Sequence, residues 1–115
     1  MRDAATTVAR LKRQVARFIK ERDWEQFHSP KNLSMSISIE SAELMEIFQW
    51  MEVSEARSKS SLPEMRAKIE EEIADISIYI LSLCHALGLD LSSCIASKIE
   101  RNRKKYPVEK CKGKW

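Results

Sequence analysis

The chain has 115 residues, 43% of them hydrophobic and 32% charged, with a formal net charge of +3 at pH 7. That length allows one domain with a modest core, and two glycines with three prolines are too few for the turns of a many-stranded fold. The charge is too small to argue for nucleic acid, so no nucleic-acid partner is expected.

Val8, Leu11, Val15, Phe18 and Ile19 recur at three- and four-residue steps, which predicts a first amphipathic helix over about residues 4 to 22. "DWEQFHSPKN" breaks that pattern, with Pro30 and Asn32 as punctuation. In "LSMSISIESAELMEIFQWM" the first seven residues alternate in the manner of a strand, yet Leu33, Ile37, Glu40, Leu44, Ile47 and Met51 fit one helical face. The whole segment is therefore read as a second helix. "VSEARSKSS" reads as a polar loop. "SLPE" has the form of a capping box, with Ser61 as N-cap, Glu64 at N3 and Pro63 in the first turn. The third helix follows, with the stripe Met65, Ile69, Ile73, Ile76, Ile80, Leu83 and Leu87, stopped by Gly88. A fourth begins near Asp90 or Ser92 and ends at Pro107, leaving a loose basic tail over 109–115 after a domain of 1–108.

The fold class expected is all-α, a helical bundle of four main helices. The third helix is apolar on nearly every side from Ile73 to Leu83, and the second carries Met35, Ile39 and Met45 outside its stripe. A helix apolar all round has to be covered all round, which 115 residues cannot do for two helices, so a homo-oligomer is expected. No apolar run is long enough for a bilayer, and "MRDAATTVARLKRQ" lacks a signal-peptide core, so no membrane partner is expected. Cys84, Cys94 and Cys111 form no CxxC pair and are odd in number, which fits reduced thiols and a cytoplasmic location.

The chemistry lies in the carboxylates. Glu40 and Glu43 form an ExxE pair, and Glu72 and Asp75 an ExxD pair. Residues three apart share a helix face. Glu40 lies between Ile37 and Leu44 on its apolar stripe, and Glu72 between Ile69 and Ile76 on its own. If the stripes meet, four carboxylates converge at a partly dry seam, and protons or cations must compensate. Hard oxygen ligands suit Mg²⁺, with Mn²⁺ as a substitute. Glu64, Glu70 and Glu71, near Arg66 and Lys68, read instead as exposed helix charges. A di-iron bundle would need an ExxH motif on each of two helices, and the only histidines, His28 and His85, do not supply that pair of motifs.

"RDWEQFHSPKNL", "IESAELMEIFQW", "EEEIADISIYI" and "SKIERNRKKYPV" occur in this order. On these stretches, and on the spacing KxxxNRxxYP from Lys98 to Pro107, the chain resembles the all-α NTP pyrophosphohydrolases of the MazG-like superfamily. Within them it looks like the dCTP pyrophosphatase branch, over about residues 10 to 108. The resemblance implies that Glu40, Glu43, Glu72 and Asp75 are the catalytic Mg²⁺ ligands. It implies hydrolysis of a (d)NTP, dCTP or a modified dCTP, to monophosphate and pyrophosphate, as a house-cleaning activity. It also puts the base against Trp24, Trp50 and Tyr79 and the phosphates near Lys98, Asn102, Arg103 and Tyr106, in dimers paired into tetramers. One departure is Val15, where related enzymes carry a histidine on the first helix; the base contacts differ accordingly. The competing readings are a non-catalytic helical adaptor and a nucleic-acid-binding bundle using the basic stretch from Lys98 to Lys114. Neither accounts for carboxylates on apolar stripes.

Overall fold

The computed structural model describes residues 1–114, and among them every regular element is helical. A 3₁₀ turn, Asp3–Ala5, precedes α1, Val8–Glu21. The first helix therefore starts later than its apolar spacing predicts. Thr7 sets the boundary, its Oγ1 accepting from the Arg10 backbone N–H at 3.1 Å and satisfying one of the free donors of the first turn. A second 3₁₀ turn, Glu25–Phe27, leads to α2, Pro30–Phe48. Ser29 caps α2 through the Asn32 N–H at 3.1 Å, and Pro30 sits at its start. These start signals outweigh the strand-like alternation of "LSMSISI". The alternation instead leaves Met35 and Ile39 on the open side of the helix.

Three local expectations are corrected. "VSEARSKSS" holds a helix, α3, Val53–Lys59. It lacks an apolar stripe and is supported by the Glu55–Lys59 pair at 3.1 Å. The capping box is not formed. The N-cap of α4, Pro63–Leu87, is Leu62 without a side-chain cap, and the Ser61 hydroxyl donates backward to the Ser58 carbonyl at 3.1 Å. After α5, Leu91–Lys105, the tail opens with a short helix, α6, Val108–Cys111, so it is not wholly loose. Trp115 lies outside the described residues.

Gly88 ends α4 as expected, at φ 65, the left-handed region where a Cβ is costly. Nothing would touch a Cβ built there, so the penalty of Gly88→Ala is purely conformational. It is expected to destabilise by roughly 1–2 kcal/mol, read as a lowered melting midpoint; an unchanged midpoint would contradict this role. Asp90 then caps α5, accepting from the Ser93 N–H at 3.1 Å and its hydroxyl at 2.6 Å. The axis of α5 departs from that of α4 by 102°.

The main packing is α2 on α4, with α1 also against α4. Glu40 and Glu43 meet Glu72 in mid-helix, while Ile47, further along α2, shares a cavity with Met65, further back on α4; the two helices run antiparallel. Lys12 joins α1 to the α4–α5 turn, its ammonium donating to the Leu89 carbonyl at 2.9 Å. The buried set is small: Ile19, Leu33, Leu81, Cys84 and Ser82, of which Leu33 alone is fully buried. The radius of gyration is 17.1 Å, against about 13 Å for a compact domain of this length. The accessible surface is 9501 Å², about 3,000 Å² more than a compact monomer of this mass exposes. No single helix is long and apolar enough to cross a membrane.

Candidate metal centre and nucleotide site

The antiparallel α2–α4 seam brings the two acidic pairs together. One carboxylate oxygen from each of Glu40, Glu43 and Glu72 lies within 4.8 Å of the others. Oε2 of Glu40 and Oε2 of Glu72 are cut off from water and have no hydrogen-bond partner. A buried acceptor without a donor is costly, and cation ligation satisfies it directly. Asp75 stands outside that tight trio but within electrostatic reach, since its charge acts on both Glu40 and Glu72.

Loss of water, reinforced by Glu43 and then by the Asp75 charge, pushes the Glu40 carboxyl up to about 7 from its ordinary 4.5. Glu72 is also raised, by loss of water first and by the Glu43 charge second, with its contact to Glu40 acting the other way. Like charges crowded in a partly dry site disfavour full ionisation. Oxygen-only donors of this kind fit Mg²⁺ or Mn²⁺ and not the softer metals. The three free cysteines lie outside the cluster.

Beside the trio a cavity of ≈ 330 Å³ is lined by Glu43, Glu46, Ile47, Met65, Lys68, Glu71 and Glu72. The expectation of plain surface pairing is met for Glu70, 2.9 Å from Arg66, and for Glu64, 4.0 Å from Lys68. Glu71 differs: it makes no ion pair among the described residues and faces the cavity. Helical spacing hides this, because Glu71 is off the apolar stripe.

The aromatic side of the site rests on the turn between α1 and α2. Asp23 adopts φ 54, a left-handed conformation that aspartate tolerates better than most residues. Its carbonyl accepts from Gln26 Nε2 at 3.0 Å. The reversal swings Trp24 back over α1, edge-on to Phe18 with ring centres 5.9 Å apart. Arg22 lies over the Phe18 ring, 3.6 Å from guanidinium to ring centre. Trp24 is followed by His28 at 6.4 Å and His28 by Tyr79 of α4 at 6.5 Å.

Sequence reasoning did not select His28, although its Nδ1 is buried without a partner. Glu25 and His28 do have ExxH spacing, but they sit in and just after a 3₁₀ turn, so that spacing does not build a bundle-core metal motif. His85, by contrast, is exposed.

Trp24 and Tyr79 thus belong to one aromatic chain, while Trp50 stands apart at 90% exposure. Lys98, Asn102, Arg103 and Tyr106 lie on or just after α5. Arg103 is paired with Glu100 at 3.1 Å, and Asn102 and Tyr106 line a separate cavity with residues of the C-terminal segment. Within one chain, α5 is not brought to the acidic seam.

Residues 35–114 match the MazG-like family. The chain belongs to the MazG-like family. The match covers both acidic pairs, α5 and α6, and so includes every sequence-selected site residue except Trp24. Among curated relatives, dCTP pyrophosphatase 1 of Rattus norvegicus is 39% identical over 107 residues, covering 93% of this chain and 63% of that protein. The protein of the same name from Homo sapiens is 40% identical over 102 residues, covering 89% of this chain and 60% of that one. This chain therefore spans less than two thirds of the length of these relatives. A solved pyrophosphatase from Archaeoglobus fulgidus is 38% identical, with a TM-score of 0.81 over 93% of this chain and 98% of that one. The all-helical MazG-like architecture expected from the resemblance is therefore established by sequence and by fold.

Proposed function

We propose that this MazG-like chain is a Mg²⁺-dependent nucleoside triphosphate pyrophosphohydrolase, cleaving a (d)NTP, dCTP or a modified dCTP, to monophosphate and pyrophosphate. The observation that carries the reading is the pair of water-shielded, unpartnered carboxylate oxygens of Glu40 and Glu72 at one seam. The names of the similar dCTP pyrophosphatases and of the similar solved pyrophosphatase support it.

Glu40, Glu43, Glu72 and Asp75 would hold Mg²⁺, which supplies charge neutralisation on the phosphates when bound. Their own repulsion makes the empty cluster proton-hungry, so a cation and protons compete for the same oxygens. Trp24, His28 and Tyr79 form the wall against which a base lies. Trp50 joins that wall only if assembly covers it, since the isolated chain leaves it bare. Lys98, Asn102, Arg103 and Tyr106 serve the phosphates. The three free thiols fit a cytoplasmic setting.

The test is pyrophosphate release from dCTP, dATP, dGTP and dTTP with Mg²⁺ and with EDTA. Release that requires the metal and favours dCTP is expected; full activity in EDTA, or preference for a purine, contradicts the reading. Stacking contributes roughly 1–3 kcal/mol per base and tolerates any base. Trp24→Ala is therefore expected to raise KM for every accepted nucleotide by a similar factor, leaving the ranking intact. An unchanged KM would remove Trp24 from the pocket.

A further inference from the structure

Four side chains of α4 share one face at steps of four, three and four residues: Lys68, Glu72, Asp75 and Tyr79. Tyr79 closes the aromatic wall against His28. Glu72 and Asp75 belong to the acidic seam. Lys68 is the fourth. It lines the ≈ 330 Å³ cavity together with Glu43 and Glu72, and it is the one cation in that lining.

The order along the helix gives the cavity a place in the site. The aromatic wall lies toward the C-terminal end of α4, the cavity toward its N-terminal end, and the metal-binding carboxylates lie between them. From Tyr79 back to Lys68 is eleven residues, roughly 16 Å of helix, which is of the order of an extended nucleoside triphosphate. A nucleotide with its base against the aromatic wall and its α-phosphate at the acidic seam therefore runs its β- and γ-phosphates into the cavity. The Lys68 ammonium is free to meet them. Its ion pair with Glu64 is 4.0 Å long, with side chains 62% and 91% exposed. That distance is too long for a hydrogen bond, and a pair so exposed is weak. The remaining charge in the cavity is unfavourable to phosphate, because Glu46 and Glu71 add to the negative lining. An anionic tail held there needs a cation from the protein beside the divalent ion, and Lys68 is the one in place.

We propose that Lys68 binds the β- and γ-phosphates of the nucleotide and neutralises the pyrophosphate as it leaves. The proposal rests on the hydrolase reading and adds to it where the leaving group is held. In that reaction a water oxygen bonds to the α-phosphorus and the bond from that phosphorus to the bridging oxygen breaks. The electron pair departs with the pyrophosphate, and the water's proton is released to solvent. Negative charge grows on the leaving oxygens beside the ammonium, so Lys68 acts on kcat as well as on binding.

Calorimetric titration with inorganic pyrophosphate and with dCMP, in Mg²⁺ buffer, tests this apart from turnover. Lys68→Ala is expected to weaken pyrophosphate binding about tenfold, the scale of one hydrogen bond to a charged group, while dCMP binds as before. The kcat/KM for dCTP should fall by at least the same factor, and Lys68→Arg should recover most of both losses. Alanine suits an exposed helix position, so the fold should persist, as the melting midpoint would report. Combining Lys68→Ala with Glu71→Gln restores the net charge of the cavity but not the donor, and this double variant should still bind pyrophosphate weakly. Pyrophosphate affinity unchanged in Lys68→Ala, an equal loss for dCMP, or full recovery in the double variant each overturns the proposal. If instead wild type releases no pyrophosphate from any nucleotide, it is the hydrolase reading that fails, a result read separately from the titrations.

Discussion

Glu72→Gln is expected to lower pyrophosphate release by roughly two to three orders of magnitude, the scale on which one electrostatic contact to developing charge acts, and at the same time to raise the melting midpoint of the metal-free protein. Both effects have one cause. In the ligand role the carboxylate brings a negative charge to the cation. Without the cation the same charge faces Glu43 across a partly dry seam and Asp75 one turn along its own helix, and the fold bears the repulsion. An amide keeps the shape and removes the charge.

The pH dependence carries the same sign. Glu40 has its folded pKa raised to about 7 from 4.5. Its contribution to stability is therefore fully present below about 4.5 and is lost as pH rises through about 7. The metal-free midpoint should fall over that window. Glu40→Gln should flatten the fall, and saturating Mg²⁺ should remove it because the cation takes the place of the protons. Differential scanning calorimetry across pH 5–8, with EDTA and with Mg²⁺, provides the readings. A Glu72→Gln protein that hydrolyses at the wild-type rate, or that melts lower than wild type in EDTA, would show that the carboxylates are ordinary surface charges.

The second large effect concerns assembly. The wild-type chain is expected to scatter light as a dimer or larger at micromolar concentration, and Ile39→Asp to dissociate it. Ile39 is 58% exposed in the single chain and Met45 61%, both on the side of α2 turned away from the seam. An aspartate covered there without a partner costs roughly 3–5 kcal/mol, a change of roughly two to three and a half orders of magnitude in the dissociation constant. A monomeric wild type at that concentration refutes the argument from surface. A dimeric Ile39→Asp protein with wild-type affinity refutes the choice of face.

The acidic seam was legible in the sequence because two independent periodicities agree there. Glu40 and Glu72 interrupt apolar stripes at core positions, and a charge in that place needs a reason. The helices of the seam were legible for the same reason, since their stripes are long. What escaped has no stripe. α3 is short, has no apolar stripe and carries a local ion pair, so its residues resemble a loop. Ser61 has the residue type of a cap but spends its hydroxyl on Ser58, a choice decided by backbone geometry. His28 is a single residue in an irregular turn, and only the folding of Tyr79 toward it shows that it matters. The KxxxNRxxYP spacing singles out α5 by resemblance, but spacing along one helix carries no information about the 102° bend between α4 and α5.

The smallness of the buried set has a consequence for how this sequence tolerates change. With little beyond Ile19, Leu33, Leu81 and Cys84 enclosed in the single chain, the usual division of positions into intolerant interior and permissive exterior does not follow solvent exposure. Met35, Ile39, Ile78, Ile95 and Ile99 are solvent-facing here, yet in the homo-oligomer expected above a substitution at one of them would alter two or more chains at once, because one altered gene product supplies every face of a symmetric assembly. A systematic substitution scan would then rank these residues beside the interior ones, and variation would be concentrated on the polar flanks of α1 and α3.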